Sequence, residues 1–253
     1  MANSGGMHSP VEQFEISKIV ELSAGGYDIS FTNSSLFMLL AIAVSGIFLF
    51  SAMRKGEMVP GRMQGAAEMM YEFVADMVRS NVGNEGRPYF PFVFTLFVFL
   101  LFGNMLGLIP YSYTFTSQIV VTFAMAAFVF VGVTLIALFK HGLHFFSFFV
   151  PAGAPKVLIP FLIVIEVISY FVRPVSLSVR LFANMLAGHT MLKVFAGLAV
   201  MISGAGGIAM AGSLLPFVAL IGLTGLEVLV AALQAYVFTI LTCMYLNDAL
   251  HLH

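Results

Sequence analysis

The segment that decides the fold reads Arg173-Pro-Val-Ser-Leu-Ser-Val-Arg180-Leu-Phe-Ala-Asn184-Met-Leu-Ala-Gly-His189. It lies deep inside a stretch that is otherwise apolar from Val157 to Ser203. An arginine guanidinium stays protonated in proteins, so Arg180 holds a permanent charge where charge costs several kcal/mol. The nearest acid of the segment, Glu166, lies fourteen residues earlier, too far along a helix to neutralise it. We therefore expect the partner of Arg180 to belong to another chain.

The composition identifies the solvent of the chain as a lipid bilayer. Apolar residues of the set AVILMFWYC make up 60% of the sequence and charged residues only 9%, and several apolar runs exceed eighteen residues. These features predict an all-α integral membrane protein and exclude a soluble domain. The single cysteine, Cys243, excludes a disulfide framework and a cysteine metal site.

The first residues of the chain differ from the rest. Met1–Asn33 is polar and mildly acidic, and no basic region precedes the first apolar run near Ser34. This start does not have the pattern of a cleaved signal or transit peptide. We predict two parts: a partly ordered polar segment at residues 1–33, and a single helical membrane domain at residues 34–253.

Four shorter helices are predicted before the decisive segment. The apolar runs Ser34–Met53, Phe90–Ile109 and Gln118–Phe139 are each long enough to span a membrane, and the last two form a hairpin across the short turn between them. Between the first and second of these runs, Pro60–Val82 has apolar residues at helical spacing and the acids Glu68, Glu72 and Asp76 on its other side. This pattern predicts an amphipathic helix, which either lies at the interface or against a partner or is a plain surface helix.

The basic residues predict the orientation of the chain. Seven of them fall on one side of the membrane if the N-terminus is outside, and only Lys18 falls opposite. These seven residues are Arg54, Lys55, Arg62, Arg79, Arg87, Lys140 and Lys156. Because cytoplasmic flanks are enriched in Lys and Arg, we predict the N-terminus outside and the C-terminus inside.

The stretch from Lys156 to Ser203 is too long for an ordinary span. As a helix it would be roughly 70 Å long against a hydrocarbon core of about 30 Å. Either Pro174 marks a hairpin, or the stretch is one helix that is bent at Pro174 and steeply tilted. The hairpin would have a first arm of only sixteen residues and would place Arg173 and Arg180 at the outer face, so we favour the single helix. A turn at Gly204–Gly207 then leads into a second long helix, roughly Ala211–Leu250.

Polar residues mark two sides of the first long helix. Ser176, Arg180 and Asn184 are spaced by four and share one face. His189 lies nine residues after Arg180, which is half a revolution away. This helix therefore presents a fixed cation on one side and a titratable imidazole on the other.

The second long helix has one polar stripe. Glu227, Gln234 and Tyr245 are seven and eleven residues apart, so they can pack toward the first helix and close a wet path. Glu166 and Asn104 are further candidates within apolar runs. Each of these polar groups also has a structural interpretation, an interhelical hydrogen bond, and for Asn104 that interpretation leads. Arg173 and Lys193 are weaker candidates because their long side chains can reach water.

The chemistry of these groups points to proton transfer. His189 and Glu227 can exchange protons near neutral pH, whereas Arg180 can only present charge. Together they predict a proton path interrupted by a positive barrier, which a carboxylic acid on a partner passes only after losing its proton. Each unit charge that crosses 100 mV releases about 2.3 kcal/mol, enough in repeated steps to drive a rotor.

Two segments also resemble a known family. Ser-Leu-Ser-Val-Arg180-Leu-Phe-Ala-Asn184-Met-Leu-Ala-Gly-His189 and Leu-Gln234-Ala-Tyr-Val-Phe are similar to the signature segments of subunit a of the F-type ATP synthase. The resemblance covers most of the chain and is strongest from Lys156 to Leu250. It implies that the two long helices lie as a tilted hairpin against a ring of c subunits, with Arg180 facing the ring carboxylates.

The resemblance also implies roles for the other residues. Two offset aqueous half-channels are implied, with His189 and Glu227 lining the outer one. Further implied positions are Asn184 and Gln234 near the essential arginine, Ser176 and Tyr245 near the inner half-channel, Glu166 as an acid found in many members, and Pro60–Val82 as the surface helix that meets b-type subunits of the peripheral stalk.

Two departures from the family are visible. Some members have an acid at the position of His189 and a histidine at that of Glu227, so the pair is exchanged in this sequence. Gly107 stands where some members have an aspartate, so proton uptake depends on Asn104, His189, Glu227 or water.

Other classes fit the sequence less well. The chain has no GxxxxGK[ST] phosphate loop, so we expect ATP chemistry on other subunits and no catalytic site here. The alternative function is an ion-coupled secondary transporter, which would have paired discontinuous spans or inverted repeats. A cytochrome needs pairs of intramembrane histidines, and only His189 is clearly intramembrane. A metalloprotease needs His-Glu-x-x-His, which this sequence lacks. We predict no metal, cofactor or nucleic-acid partner, and an energy-transducing membrane, with the bacterial plasma membrane favoured over the mitochondrial inner membrane.

Overall fold

The fold is a bundle of long helices. The computed structural model describes residues 16–21, 23–24, 27–28, 30–54, 56–109, 112–142, 145, 149, 158–204 and 212–251. The α-helices in this part of the chain are α1 (Asn33–Met53), α2 (Arg62–Val82), α3 (Phe90–Gly107), α4 (Ile119–His141), α5 (Ile159–Gly204) and α6 (Leu214–Leu250). All except α2 are long and apolar enough to cross a membrane. The prediction of an all-α membrane protein is therefore confirmed.

Short strands precede the first helix. β1 (Lys18–Val20) pairs antiparallel with β4 (Phe31–Thr32), and β2 (Ser23–Ala24) pairs antiparallel with β3 (Tyr27–Asp28). The side chain of Thr32 then accepts the backbone N–H of Ser35 and caps α1. Local order thus exists within the predicted polar segment, whose residues 1–15 lie outside the described part.

α5 is one continuous helix of 46 residues with Pro174 inside it. The single-helix prediction is therefore confirmed, and the alternative of a hairpin at Pro174 is wrong. Proline removes one helical hydrogen bond, but neighbouring helices compensate for such breaks inside membranes, and Pro174 is buried. At about 70 Å, the helix is more than twice as long as a hydrocarbon core of about 30 Å is thick. The predicted turn after Gly204 falls on residues 205–211, outside the described residues, as do Lys55 and Lys156.

α6 is the central helix of the bundle and packs on α2, α3, α4 and α5. It runs antiparallel to α5, because His189 meets Glu227 while Arg173 meets Asp248. The core between these helices contains fully buried side chains such as Leu181. Large apolar side chains on the outside of the bundle, including Phe50, Phe139 and Leu215, are exposed, as expected where a helix faces lipid.

α2 has the predicted amphipathic pattern. Ala67, Val74, Met77, Val78 and Val82 are buried against the bundle, and Glu68, Glu72 and Asp76 are exposed. The helix ends where Gly83 adopts a φ of 78°, a conformation that glycine reaches without steric cost. Its acidic face is therefore free of the bundle.

The connection between α3 and α4 is more than a surface turn. Tyr113, Thr114, Phe115, Thr116 and Ser117 are all buried. The connection therefore packs inside the bundle. Of the two helices that it joins, α3 packs on α1, α2 and α6, and α4 packs on α5 and α6. The Tyr113 hydroxyl lies in this connection, and burial raises its pKa.

A single glycine makes room for this connection. An added Cβ at Gly103 would overlap Phe115 Cζ and lie 3.0 Å from Phe115 Cε1. We expect Gly103→Ala to destabilise the fold by about 1–3 kcal/mol through overpacking. The thermal midpoint can be read in detergent from the reaction of a fluorogenic maleimide with Cys243, which is buried and free.

Gly132→Ala is the matched control, because an added Cβ there meets nothing within 4 Å. It should leave the midpoint unchanged or raise it slightly, since alanine favours a helix. Equal midpoints for both variants would mean that the α3–α4 connection is not packed as described.

Candidate functional site

A buried acid–imidazole pair joins the two long helices. His189 on α5 is 9% exposed and Glu227 on α6 is 5% exposed, and His189 Nδ1 contacts Glu227 Oε1 directly. Within the described residues, Glu227 Oε2 has no hydrogen-bond partner. Two titratable groups are stable at such depth only if they neutralise each other or share a proton. Glu227 of the predicted polar stripe on α6 thus faces the imidazole side of α5.

The other ring nitrogen of His189 faces the α3–α4 connection. His189 Nε2 lies 2.8 Å from Thr114 Oγ1 and 2.9 Å from Gly107 O. The hydroxyl of Thr114 lies 3.1 Å from the same carbonyl and donates to it. A Cβ at Gly107 would lie 2.6 Å from Thr114 Oγ1, so only glycine leaves room for this hydroxyl.

Asn104 belongs to the same end of the bundle. It is fully buried, its Nδ2 donates to Ala231 O at 3.2 Å, and its Oδ1 accepts from Thr116 Oγ1 at 3.0 Å. Asn104 therefore ties α3 to α6 and to the α3–α4 connection. These contacts agree with the structural interpretation of Asn104, in which its side chain forms a hydrogen bond between helices.

A second polar cluster lies toward the other end of α6. Arg173 Nη1 donates to Asp248 Oδ2 at 2.8 Å, and its guanidinium lies 5.7 Å from the ring centre of Tyr170 and 5.3 Å from that of Tyr245. These four side chains help to line a cavity of about 20 Å³. By volume, such a cavity can hold about one water molecule.

Arg180 lies between the two clusters but on the outside of α5. It is exposed, as are Ser176 and Asn184, so the predicted polar face is confirmed and is opposite to buried His189. Along the helix axis it is about 10 Å from Arg173 and about 13 Å from His189. Among the described residues, no acid forms a salt bridge with Arg180.

The remaining candidates are spread along the long helices. Gln234 is buried on α6, Glu166 is half-buried on α5, and Lys193 is exposed. At the far end of α6, Lys140 pairs with Glu85 and donates to Leu250 O at 3.2 Å. Among the described contacts, none joins Glu166 or Gln234 to a side chain of either polar cluster.

Four residues of these clusters were missed by the sequence interpretation: Thr114, Thr116, Tyr170 and Asp248. Thr114 contacts a residue 75 positions away, and Asp248 is likewise 75 positions from Arg173. The only local signal for the threonines was the hydroxyl-rich stretch Tyr-Ser-Tyr-Thr-Phe-Thr-Ser between two apolar runs.

The arrangement defines a class of protein. A polytopic helical membrane protein that buries an acid–imidazole pair and displays a separate cation on its outer face has the features of one that moves ions across a bilayer. A family model described as ATP synthase A chain matches residues 35–247. The chain belongs to this family, and the resemblance noted from the sequence is confirmed.

Individual relatives agree with the family assignment. ATP synthase subunit a of Rhodospirillum rubrum is 56% identical over 247 residues, which cover 98% of this chain and 100% of the relative. The subunit a of Parvibaculum lavamentivorans is 55% identical over 242 residues, covering 96% and 93%, and that of a Chelativorans species is 55% identical, covering 96% and 97%. Membership places the chain in the membrane sector of an ATP synthase and connects it with proton transport.

Gly188 allows the two long helices to bring the buried pair together. An added Cβ there would lie 2.8 Å from Glu227 Oε1 and 3.2 Å from Glu227 Cδ. We expect Gly188→Ala to push the carboxylate away from His189 and to slow ATP-driven proton pumping by about tenfold or more, since small displacements of reacting groups are costly. Pumping is measured in membrane vesicles with a pH-sensitive dye.

Gly197→Ala on the same helix is the control, because nothing lies within 4 Å of an added Cβ there. It should pump like the unmodified protein. Similar rates for the two variants would show that the position of the carboxylate does not matter.

Proposed function

We propose that this chain is the proton-conducting stator of a rotary ATP synthase. In this role it provides two offset half-channels to and from carboxylates on a ring of c subunits, and Arg180 separates them. The observation that carries the proposal is that Arg180 is exposed on a membrane helix and has no acid of its own chain as a partner in the described residues. ATP chemistry then takes place on other subunits.

The face with Ser176, Arg180 and Asn184 is proposed to meet the ring. A charged group that faces lipid is costly, and a polar stripe of this kind is unfavourable toward hydrocarbon. A carboxylate on the passing ring would neutralise the guanidinium in turn. Gln234 is assigned to the surroundings of the arginine, because it is buried on the neighbouring helix.

The outer half-channel is assigned to the cluster next to the α3–α4 connection. His189 and Glu227 can hold and pass a proton, and Asn104 and Thr116 supply further polar atoms in an otherwise apolar core. The exchange of acid and imidazole between the two positions keeps one of each in contact. A proton from outside is passed here to a ring carboxylate.

The inner half-channel is assigned to the cluster at the far end of α6. Tyr245 lies against Arg173, which pairs with Asp248 beside a cavity of about 20 Å³. Ser176 and Glu166 are assigned to the same path because they lie toward that end of α5. A ring carboxylate releases its proton on this side and then passes Arg180 as an anion.

The two paths are offset along the hairpin of residues 156–250, so a proton crosses the membrane only with the moving ring. Each charge that crosses 100 mV supplies about 2.3 kcal/mol to that movement. The exposed acidic face of α2 is assigned to the b-type subunits of the peripheral stalk. We place the chain in a bacterial plasma membrane, as expected from its bacterial relatives, with its N-terminus outside and C-terminus inside.

Arg180→Ala is expected to abolish ATP-driven proton pumping while the complex still assembles. Without the cation, a ring acid no longer has to give up its proton at this point, so ring rotation and net transport are uncoupled. The measurement is dye quenching in vesicles, with co-purification of the c subunit as the check on assembly.

Lys193→Ala is the control for loss of a cation from the same helix, since Lys193 is also exposed. It should retain pumping. Normal coupled pumping by the assembled Arg180→Ala complex would remove the basis of the proposal.

Glu227→Gln is expected to slow proton translocation by about tenfold or more, because the amide keeps the shape but cannot bind and release the proton. Glu85→Gln is the comparison: Glu85 is an exposed acid whose contact is a surface ion pair with Lys140, and such pairs contribute little. Passive proton conduction through the membrane sector after removal of the soluble sector measures both. Equal rates would contradict the assignment of the outer path.

A further inference from the structure

The surroundings of His189 restrict which of its nitrogens can carry the exchanging proton. The described contacts of the ring include Glu227 on α6, Gly107 at the end of α3, Thr114 in the α3–α4 connection, and the backbone of Met185 one turn earlier on α5. Of these residues only Glu227 is titratable. The carbonyl of Gly107 can only accept a hydrogen bond, and it lies 2.9 Å from Nε2.

Thr114 completes this restriction. Its hydroxyl donates to the same carbonyl at 3.1 Å, which leaves its lone pairs for Nε2 at 2.8 Å. If Nε2 lacked its hydrogen, its lone pair would face the lone pairs of the carbonyl at hydrogen-bond distance. A hydrogen on Nε2 shared between the two oxygens satisfies all three groups.

We propose that Gly107 O and Thr114 Oγ1 fix the Nε2–H tautomer of His189, so that Nδ1 alone exchanges a proton with Glu227. The exchange breaks the Oε1–H bond of the neutral Glu227 carboxyl and forms an Nδ1–H bond, which gives a carboxylate beside an imidazolium. The reverse step restores the neutral pair. Thr114 is then a positioning residue, and His189 keeps its Nε2 hydrogen throughout.

This assignment also gives the pair a direction. The Nε2 side of His189 is closed by two acceptors, whereas Glu227 Oε2 is buried and has no hydrogen-bond partner among the described residues. The proton therefore joins and leaves the pair through Glu227, and His189 stores it. The inference rests on the proposed function, because it concerns the order of transfer within the outer half-channel.

Thr114→Val and Thr114→Ser separate positioning from packing in the assembled complex. Valine keeps the shape of threonine but removes the acceptor, so ATP-driven pumping should fall about fivefold, as expected for loss of one hydrogen bond. Serine keeps the hydroxyl and should restore most of the rate. A purely structural role predicts the opposite order, because serine leaves a methyl-sized cavity and valine does not.

Thr242→Val is the matched control. Thr242 is equally buried, but its hydroxyl donates to Phe238 O at 2.9 Å within its own helix. Its pumping should be unchanged. If Thr114→Val pumps like this control, or if Thr114→Ser is the slower of the two Thr114 variants, the inference is wrong.

A direct test reads the tautomer. The complex is labelled with ¹⁵N-histidine, and the spectrum of a His189→Gln variant is subtracted to isolate the signals of His189. In alkaline buffer, where the ring is neutral, we expect protonated Nε2 and unprotonated Nδ1. A ring protonated at Nδ1 would overturn the inference.

Arg180→Ala is measured in the same vesicles, so that the two proposals can fail separately. If Arg180→Ala pumps normally, the proposed function fails and the inference fails with it. If Arg180→Ala is inactive while Thr114→Val is unaffected, the inference fails and the proposed function stands.

Discussion

The structure depends on the high free energy of a charge in hydrocarbon. The fold meets this constraint in two ways along α5. His189 is turned inward, where Glu227 on α6 balances it, and Arg173 is balanced by Asp248. Arg180 is turned outward and forms no salt bridge with an acid among the described residues, which is why we propose that another subunit covers this face.

Much of this architecture could be predicted because hydrophobic length and helical periodicity are local properties. The runs of apolar residues located every membrane helix to within a few residues, and the length argument distinguished a single α5 from a hairpin at Pro174. The spacing of four between Ser176, Arg180 and Asn184 placed them on one face, and half a turn placed His189 on the other. These relations follow from the geometry of one helix and need no knowledge of its neighbours.

The partners of these residues could not be predicted in the same way. Thr114 reaches His189 only because Gly103 and Gly107 let the α3–α4 connection sink into the bundle. In the sequence, that connection looks like an ordinary polar turn between two spans. The pairing of Arg173 with Asp248 depends on the antiparallel register of α5 and α6, which no local pattern encodes. Sequence patterns thus gave the faces of the helices, and packing gave the contacts.

The single exposed arginine of α5 has a consequence for the ion stoichiometry of the proposed motor. In the proposed mechanism, Arg180 is the one guanidinium that faces the ring of c subunits, so identical ring carboxylates pass it one after another. The number of ions used per revolution would then be set by the number of c subunits in the ring. Under this proposal, the same stationary chain would work with rings of different subunit number without any change in its own sequence.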